Sequence, residues 1–130
     1  MLLKIYDHEK IDEIQDKFNE CFPYLKLEFY TQPHKWHEVS GTEHLIASGT
    51  YIEDIRKNHP SGIISIKSWD KTGYVEQEFK RMFGLNVQIF RLHKDRWIQT
   101  SDSDDMTLRE QSDLAKNSQE PRHDSAEKLL

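Results

Sequence analysis

The chain has little that would tie it to a membrane, to an oxidising compartment or to a familiar catalytic motif. Cys21 is its only cysteine, so no intrachain disulfide can form. No apolar run approaches the roughly 20 residues that a membrane-crossing helix needs. The first residues turn acidic too soon for a secretory leader, which sets a cytoplasmic expectation. There is no Gly-rich phosphate loop, no Walker pattern and no nucleophile elbow. The RNP-type aromatic pattern of RNA binders is missing, and no internal repeat is evident by period. The carboxylate pairs Glu76 with Glu78 and Asp104 with Asp105 have the spacing of a solvated surface.

What remains is a charged, mixed chain of one-domain size. Of 130 residues, 35% are hydrophobic and 32% charged, which suits one core under a well-solvated surface. The net charge of −5 is uneven. Residues 101–130 hold eight acids against four Lys and Arg, and residues 1–100 hold fifteen against fourteen. A body this close to neutral does not favour a dedicated nucleic-acid binder.

The organising stretch runs from Ser61 to Thr100. Ile64 and Ile66 alternate with Ser65 and Lys67, the pattern of a strand with one wet face. Thr72 or Asp70 can cap a following helix. Val75, Phe79 and Met82 form its apolar stripe, and Gly84 supplies the left-handed residue that ends it. Residues 86–92 and 96–100 alternate again and read as an antiparallel hairpin. A strand-helix-strand crossover within one sheet is normally parallel, so 63–68 and 86–92 should lie parallel.

Upstream, Leu2 to Tyr6 reads as a short strand. Asp7 is a candidate cap for a helix carrying Ile11, Ile14 and Phe18, with Cys21 as a small core residue at its end. Leu25, Leu27 and Phe29 alternate with Lys26 and Glu28 in a half-buried strand. Residues 31–60 form a long insert, with Leu45 and Ile46 as a buried patch. Thr50-x-x-Glu53 is a capping box for a short helix near 51–57, and Asn58 and His59 end that helix. Thr107-x-x-Glu110 is a second capping box, for a helix over 107–116. Residues 117–130 read as a disordered tail behind a single domain of 1–116. The element order predicts an α+β protein, a ferredoxin-like split βαβ sandwich with an extra edge strand and a long insert.

Phe83-Gly84-Leu85-Asn86-Val87-Gln88-Ile89-Phe90-Arg91, then Trp97, Thr100 and Thr107-Leu108-Arg109-Glu110-Gln111, resembles a small family of uncharacterised bacterial proteins. The resemblance spans residues 61–115. It implies a bacterial, single-domain protein and carries over no catalytic residue.

Two local patterns could carry chemistry. His34, His37 and His44 fall within eleven residues beside Glu38 and Glu43, a composition that can hold zinc or a similar ion. The competing reading is a polar loop that happens to hold histidines, since the spacing is not that of a helical zinc motif. Phe90, Arg91, Arg96 and Trp97 form a basic-aromatic strip that could stack bases, although the arginines could equally flank paired strands. An open sheet face carrying Phe90 and Leu92 points to a second copy or a partner. The leading expectation is therefore a non-enzymatic interaction module that forms a homodimer through its sheet and needs no cofactor. The alternatives are a small metal-dependent or acid/base enzyme using the His-rich insert, and a weak single-strand binder.

Overall fold

The computed structural model describes residues 1–57 and 60–119. It is mixed α+β with two antiparallel sheets and three α-helices. In chain order these are β1 (Leu2–Ile5), α1 (Ile11–Cys21), β2 (Leu25–Tyr30), β3 (Gly62–Ser65), α2 (Thr72–Phe83), β4 (Asn86–His93), β5 (Arg96–Gln99) and α3 (Leu108–Gln119). Short 3-10 turns lie at Thr42–His44, Ile52–Asp54 and Ser101–Ser103.

The strand pairing departs from the ferredoxin-like expectation. The crossover reading places β3 and β4 in one sheet; they lie in different sheets. β1 pairs with β3, and β2 pairs with β4, both antiparallel, with β5 added beside β4. The handedness rule assumed that both strands of a crossover share one sheet, and that premise fails here.

The pairing exposes an internal duplication that the periodicity did not. Leu3 lies opposite Ile64, 61 residues on, and Leu27 lies opposite Ile89, 62 residues on. Each ladder therefore joins a strand to its own counterpart across a pseudo-twofold. Ile14, Phe18 and Phe22 have counterparts in Val75, Phe79 and Phe83, and all six are buried. Two distant half-copies give no repeat period, which hid the relation from the sequence pattern.

Helix starts obey the same symmetry. Neither α1 nor α2 has a side-chain cap. Their first amide groups donate instead to backbone carbonyls from later in the chain. Ile11 N binds Thr50 O and Asp12 N binds Ser48 O, both at 2.9 Å; Thr72 N binds Met106 O at 2.8 Å and Gly73 N binds Asp104 O at 2.9 Å. The returning bonds match too: Ile52 N to Glu9 O and Leu108 N to Asp70 O. Orphan helix donors are thus satisfied by a distant segment, which frees the expected caps for other work. Asp7 accepts from Arg56 Nε at 3.0 Å, and Asp70 accepts from Lys67 N at 2.9 Å.

Several local expectations hold. Gly84 ends α2 at φ 65°, and Thr107 with Glu110 forms a reciprocal capping box at 2.9 and 3.1 Å. Others do not. Cys21 is exposed, because Phe18 and Phe22 take the inward positions. Leu45 is exposed, while Ile46 packs against the core. The capping box at Thr50 is not made, since Glu53 N binds Asp7 O and only a 3-10 turn forms. α3 continues through Gln119, so residues 117–119 are helical; Asn58, His59 and the rest of the expected tail lie outside the described residues.

One core joins β1 and β3 to β2 and β4 through the helices. Phe18 and Phe79 occupy matching places in it, both fully buried. Phe18→Ala and Phe79→Ala should each cost about 3–5 kcal/mol in urea unfolding. A cost below about 1 kcal/mol for either would show that the halves do not share one core.

Candidate functional site

β4 has an incomplete partner on its outer edge. β5 pairs only with Phe90 to His93, so the edge from Val87 to Ile89 is served mostly by side chains, with Thr100 N donating to Ile89 O at 3.3 Å. Thr100 Oγ1 donates to Ile89 O at 2.7 Å. Glu76 Oε2, from α2, accepts from Ile89 N at 2.7 Å and from Gln88 Nε2 at 3.1 Å. His34 Nε2 reaches Val87 O at 3.3 Å.

A strap over residues 31–40 brings His34 there. Ser40 N donates to Gln99 Oε1 at 2.9 Å, and Gln99 Nε2 returns a bond to Ser40 O at 2.8 Å. Trp36 lies on Gly73, where a Cβ would come within 2.7 Å of the indole. Glycine is needed there to let the strap approach α2. His37 takes a left-handed φ of 65°, and its N–H donates to Asp104 Oδ2 at 2.9 Å. Such a backbone in a non-glycine residue persists only where its surroundings hold it.

The result is a cluster of His34, Glu76 and Asp104 whose ligating atoms lie within 4.8 Å of one another. His34 Nε2 is 3.4 Å from Glu76 Oε1. Each group is held by its other atom: His34 Nδ1 against Lys35 O at 2.9 Å, Glu76 Oε2 by Ile89 N, and Asp104 Oδ2 by His37 N. Glu76 Oε1 and Asp104 Oδ1 are buried and accept no hydrogen bond among the described residues. Glu76 Oε1 still faces the His34 imidazole; a buried carboxylate oxygen with no donor, as at Asp104 Oδ1, is costly and calls for an explanation.

Crowding distorts the titration of all three. Burial pushes the Glu76 carboxyl from 4.5 up to about 7, although His34 and the Ile89 N–H pull the other way. Burial opposes the charge on His34, but the Glu76 carboxylate, the Lys35 carbonyl and Asp104 outweigh it and raise the imidazole from 6.5 to about 9. Asp104 is also raised, first by burial.

Only one of the three candidate histidines is a member. His37 contributes its backbone, while its ring meets exposed Asp105 at 3.1 Å. His44 faces Glu43 at 3.6 Å. The basic-aromatic strip is used internally. Lys26 Nζ sits 5.2 Å from the ring centres of both Phe90 and Trp97, and Arg91 donates to Gln111 Oε1 at 2.6 Å. Arg96 is exposed at the start of β5.

Glu76 and Asp104 are not the solvated acids that their spacing suggested; Glu76 is 6% exposed and Asp104 0%. A signal existed for Glu76. Thr72, Glu76, Phe79 and Phe83 follow at spacings of four, three and four, which is one helical face, and all are buried. Asp104 had no such signal, because its burial depends on the strap.

Comparison with known proteins finds no matching family model, no matching curated protein and no matching solved structure.

The metal-free cluster should make stability depend on pH. The folded state prefers Glu76 neutral, so that contribution is whole below pH 4.5 and is lost as pH rises toward 7. It prefers His34 charged, so that contribution is whole below pH 6.5 and is lost as pH rises toward 9. Melting curves of chelator-treated protein should fall from pH 5 to 9, and a Glu76→Gln, His34→Gln variant should lose this slope. Parallel pH profiles for the variant and the parent would contradict the assignment.

Proposed function

We propose that this protein binds a divalent transition-metal cation through His34, Glu76 and Asp104, with an open coordination position. One observation carries the reading. His34, Glu76 and Asp104 each offer a ligating atom within 4.8 Å of the others, Glu76 Oε1 and Asp104 Oδ1 accept no hydrogen bond among the described residues, and His34 Nδ1, Glu76 Oε2 and Asp104 Oδ2 are each held by another partner. Metal ligands are typically oriented by such outer hydrogen bonds, with a histidine donating its second N–H to a carbonyl. A neutral His34 would donate through Nδ1 to Lys35 O and free Nε2 for the metal. Three protein ligands leave a fourth position of a tetrahedral ion open. The mixed imidazole and carboxylate set suits zinc, manganese or iron.

The duplication supplies an internal control. The counterpart of Glu76 is Gln15, which donates from Nε2 to Leu27 O at 2.7 Å, and the counterpart of Asp104 is exposed Ser48. A neutral amide thus serves the sheet edge in the first half. The second half places a carboxyl group there instead, which accepts from Ile89 N.

Calorimetry with Zn²⁺ and Mn²⁺ should find one ion per chain. Glu76→Gln and Asp104→Asn should each weaken it about 10- to 100-fold, whereas His44→Ala should not. No binding, or undiminished binding in the Glu76→Gln, Asp104→Asn double variant, would contradict the proposal.

A second reading has its own support. Leu2 is 72% exposed and Ile63 49%, on the outer face of the two-stranded β1–β3 ribbon. Both outer edges of that ribbon are unpaired among the described residues. This favours self-association through the ribbon rather than through the Phe90 face. Sedimentation should show a dimer that Ile63→Glu converts to monomer; a monomer at all concentrations would oppose it.

A further inference from the structure

A pocket of about 180 Å³ opens beside the cluster, and its lining includes Pro33, Trp36 and Val87 together with His34, Glu76 and Lys80. Asp104 does not line it. A cation held by all three groups would therefore be backed by Asp104 and turn its open position toward the pocket. Resting on the cation reading above, we propose that this pocket takes a small organic carboxylate with a flat apolar body, the carboxylate completing the metal's coordination.

Charge, shape and size each support this occupant. Glu76 and Asp104 together cancel a divalent ion. Lys80 then remains, with no hydrogen bond or ion pair to its ammonium among the described residues. Arg81 adds no free charge, because it is bound to Glu78 by two bonds of 2.7 and 2.8 Å. The loaded pocket thus carries one net positive charge, on the exposed Lys80, which favours an anionic occupant. Its body is lined by an indole, a proline ring and a valine, surfaces that favour an aromatic or flat aliphatic group. The indole is set by Gly73, which no larger residue could replace without moving it. The volume lies below the roughly 300–1,000 Å³ of sites for drug-sized ligands, so the molecule is small.

The test uses the full chain with Trp69→Phe and Trp97→Phe, which leaves Trp36 as the sole indole reporter. Zn²⁺ is titrated first, by calorimetry. Benzoate, acetate and benzamide are then titrated against the zinc-loaded and chelator-treated protein, with Trp36 fluorescence as readout. Benzoate should bind the loaded protein at least about tenfold more tightly than acetate, which lacks the body, or benzamide, which lacks the charge. Removing zinc should cost at least about tenfold, and Lys80→Gln and Gly73→Ala should each weaken benzoate by a similar factor. Zinc binding without benzoate binding would overturn this inference and leave the cation reading standing. Benzoate binding equally well without zinc would overturn the metal-anchored carboxylate. Failure of zinc itself to bind would overturn the cation reading, and this inference with it.

Discussion

Neither half of this protein can complete a sheet alone. β1 finds its ladder only in β3 and β2 only in β4, so each strand of the first half is paired by its counterpart in the second. The helices obey the same dependence on distant chain, since their first amides are satisfied by backbone from residues 48–50 and 104–106. Local signals make the helices and strands, but partners 60 residues away fix where they sit. Arg56 ties the same frame together: it is buried, pairs with Asp7 and donates to Phe83 O at the end of α2 at 3.0 Å.

The duplication is exact in its ladders and broken at its edges. In the first half, the residue facing the sheet edge from the helix is a glutamine, and it meets a carbonyl. In the second it is a glutamate, and it meets an amide. That exchange leaves one carboxylate oxygen to spare. The strap then brings an imidazole to it, and the turn after β5 brings Asp104, whose carbonyl is already committed to the start of α2. Burying three titratable groups together is expensive unless something compensates their charges. The His34 imidazole beside Glu76 offsets part of that charge in the metal-free protein, and a divalent cation held by the same groups would offset it as well.

Much of the fold was legible because it rests on periodicity. The alternation of Leu25, Leu27 and Phe29, the stripe of Ile11, Ile14 and Phe18, and the cap at Thr107 all gave their elements. Pairing was not legible, since alternation marks a strand without naming its neighbour. The site was legible only in part. His34 stood out by its neighbours in sequence, yet those neighbours, His37 and His44, turned out to have other partners. Glu76 was hidden by its half-buried neighbour Glu78, though its place on the buried face of α2 could have been read. Asp104 could not, because nothing local marks an acid that a strap residue 67 positions earlier will bind. The duplication was readable in retrospect by laying residues 2–22 over 63–83, where Leu3, Ile5, Ile14, Phe18 and Phe22 fall on Ile64, Ile66, Val75, Phe79 and Phe83, and Gln15 falls on Glu76.

The most direct test of a cation at this cluster is anomalous diffraction from crystals grown with zinc, collected on both sides of the zinc edge. The account predicts one strong peak within about 2.0–2.2 Å of His34 Nε2, Glu76 Oε1 and Asp104 Oδ1, with its remaining position open to the pocket. A map with no peak there, and with His34 still bonded to Val87 O, would contradict it. The cluster would then be a proton-sharing brace for the open edge of β4.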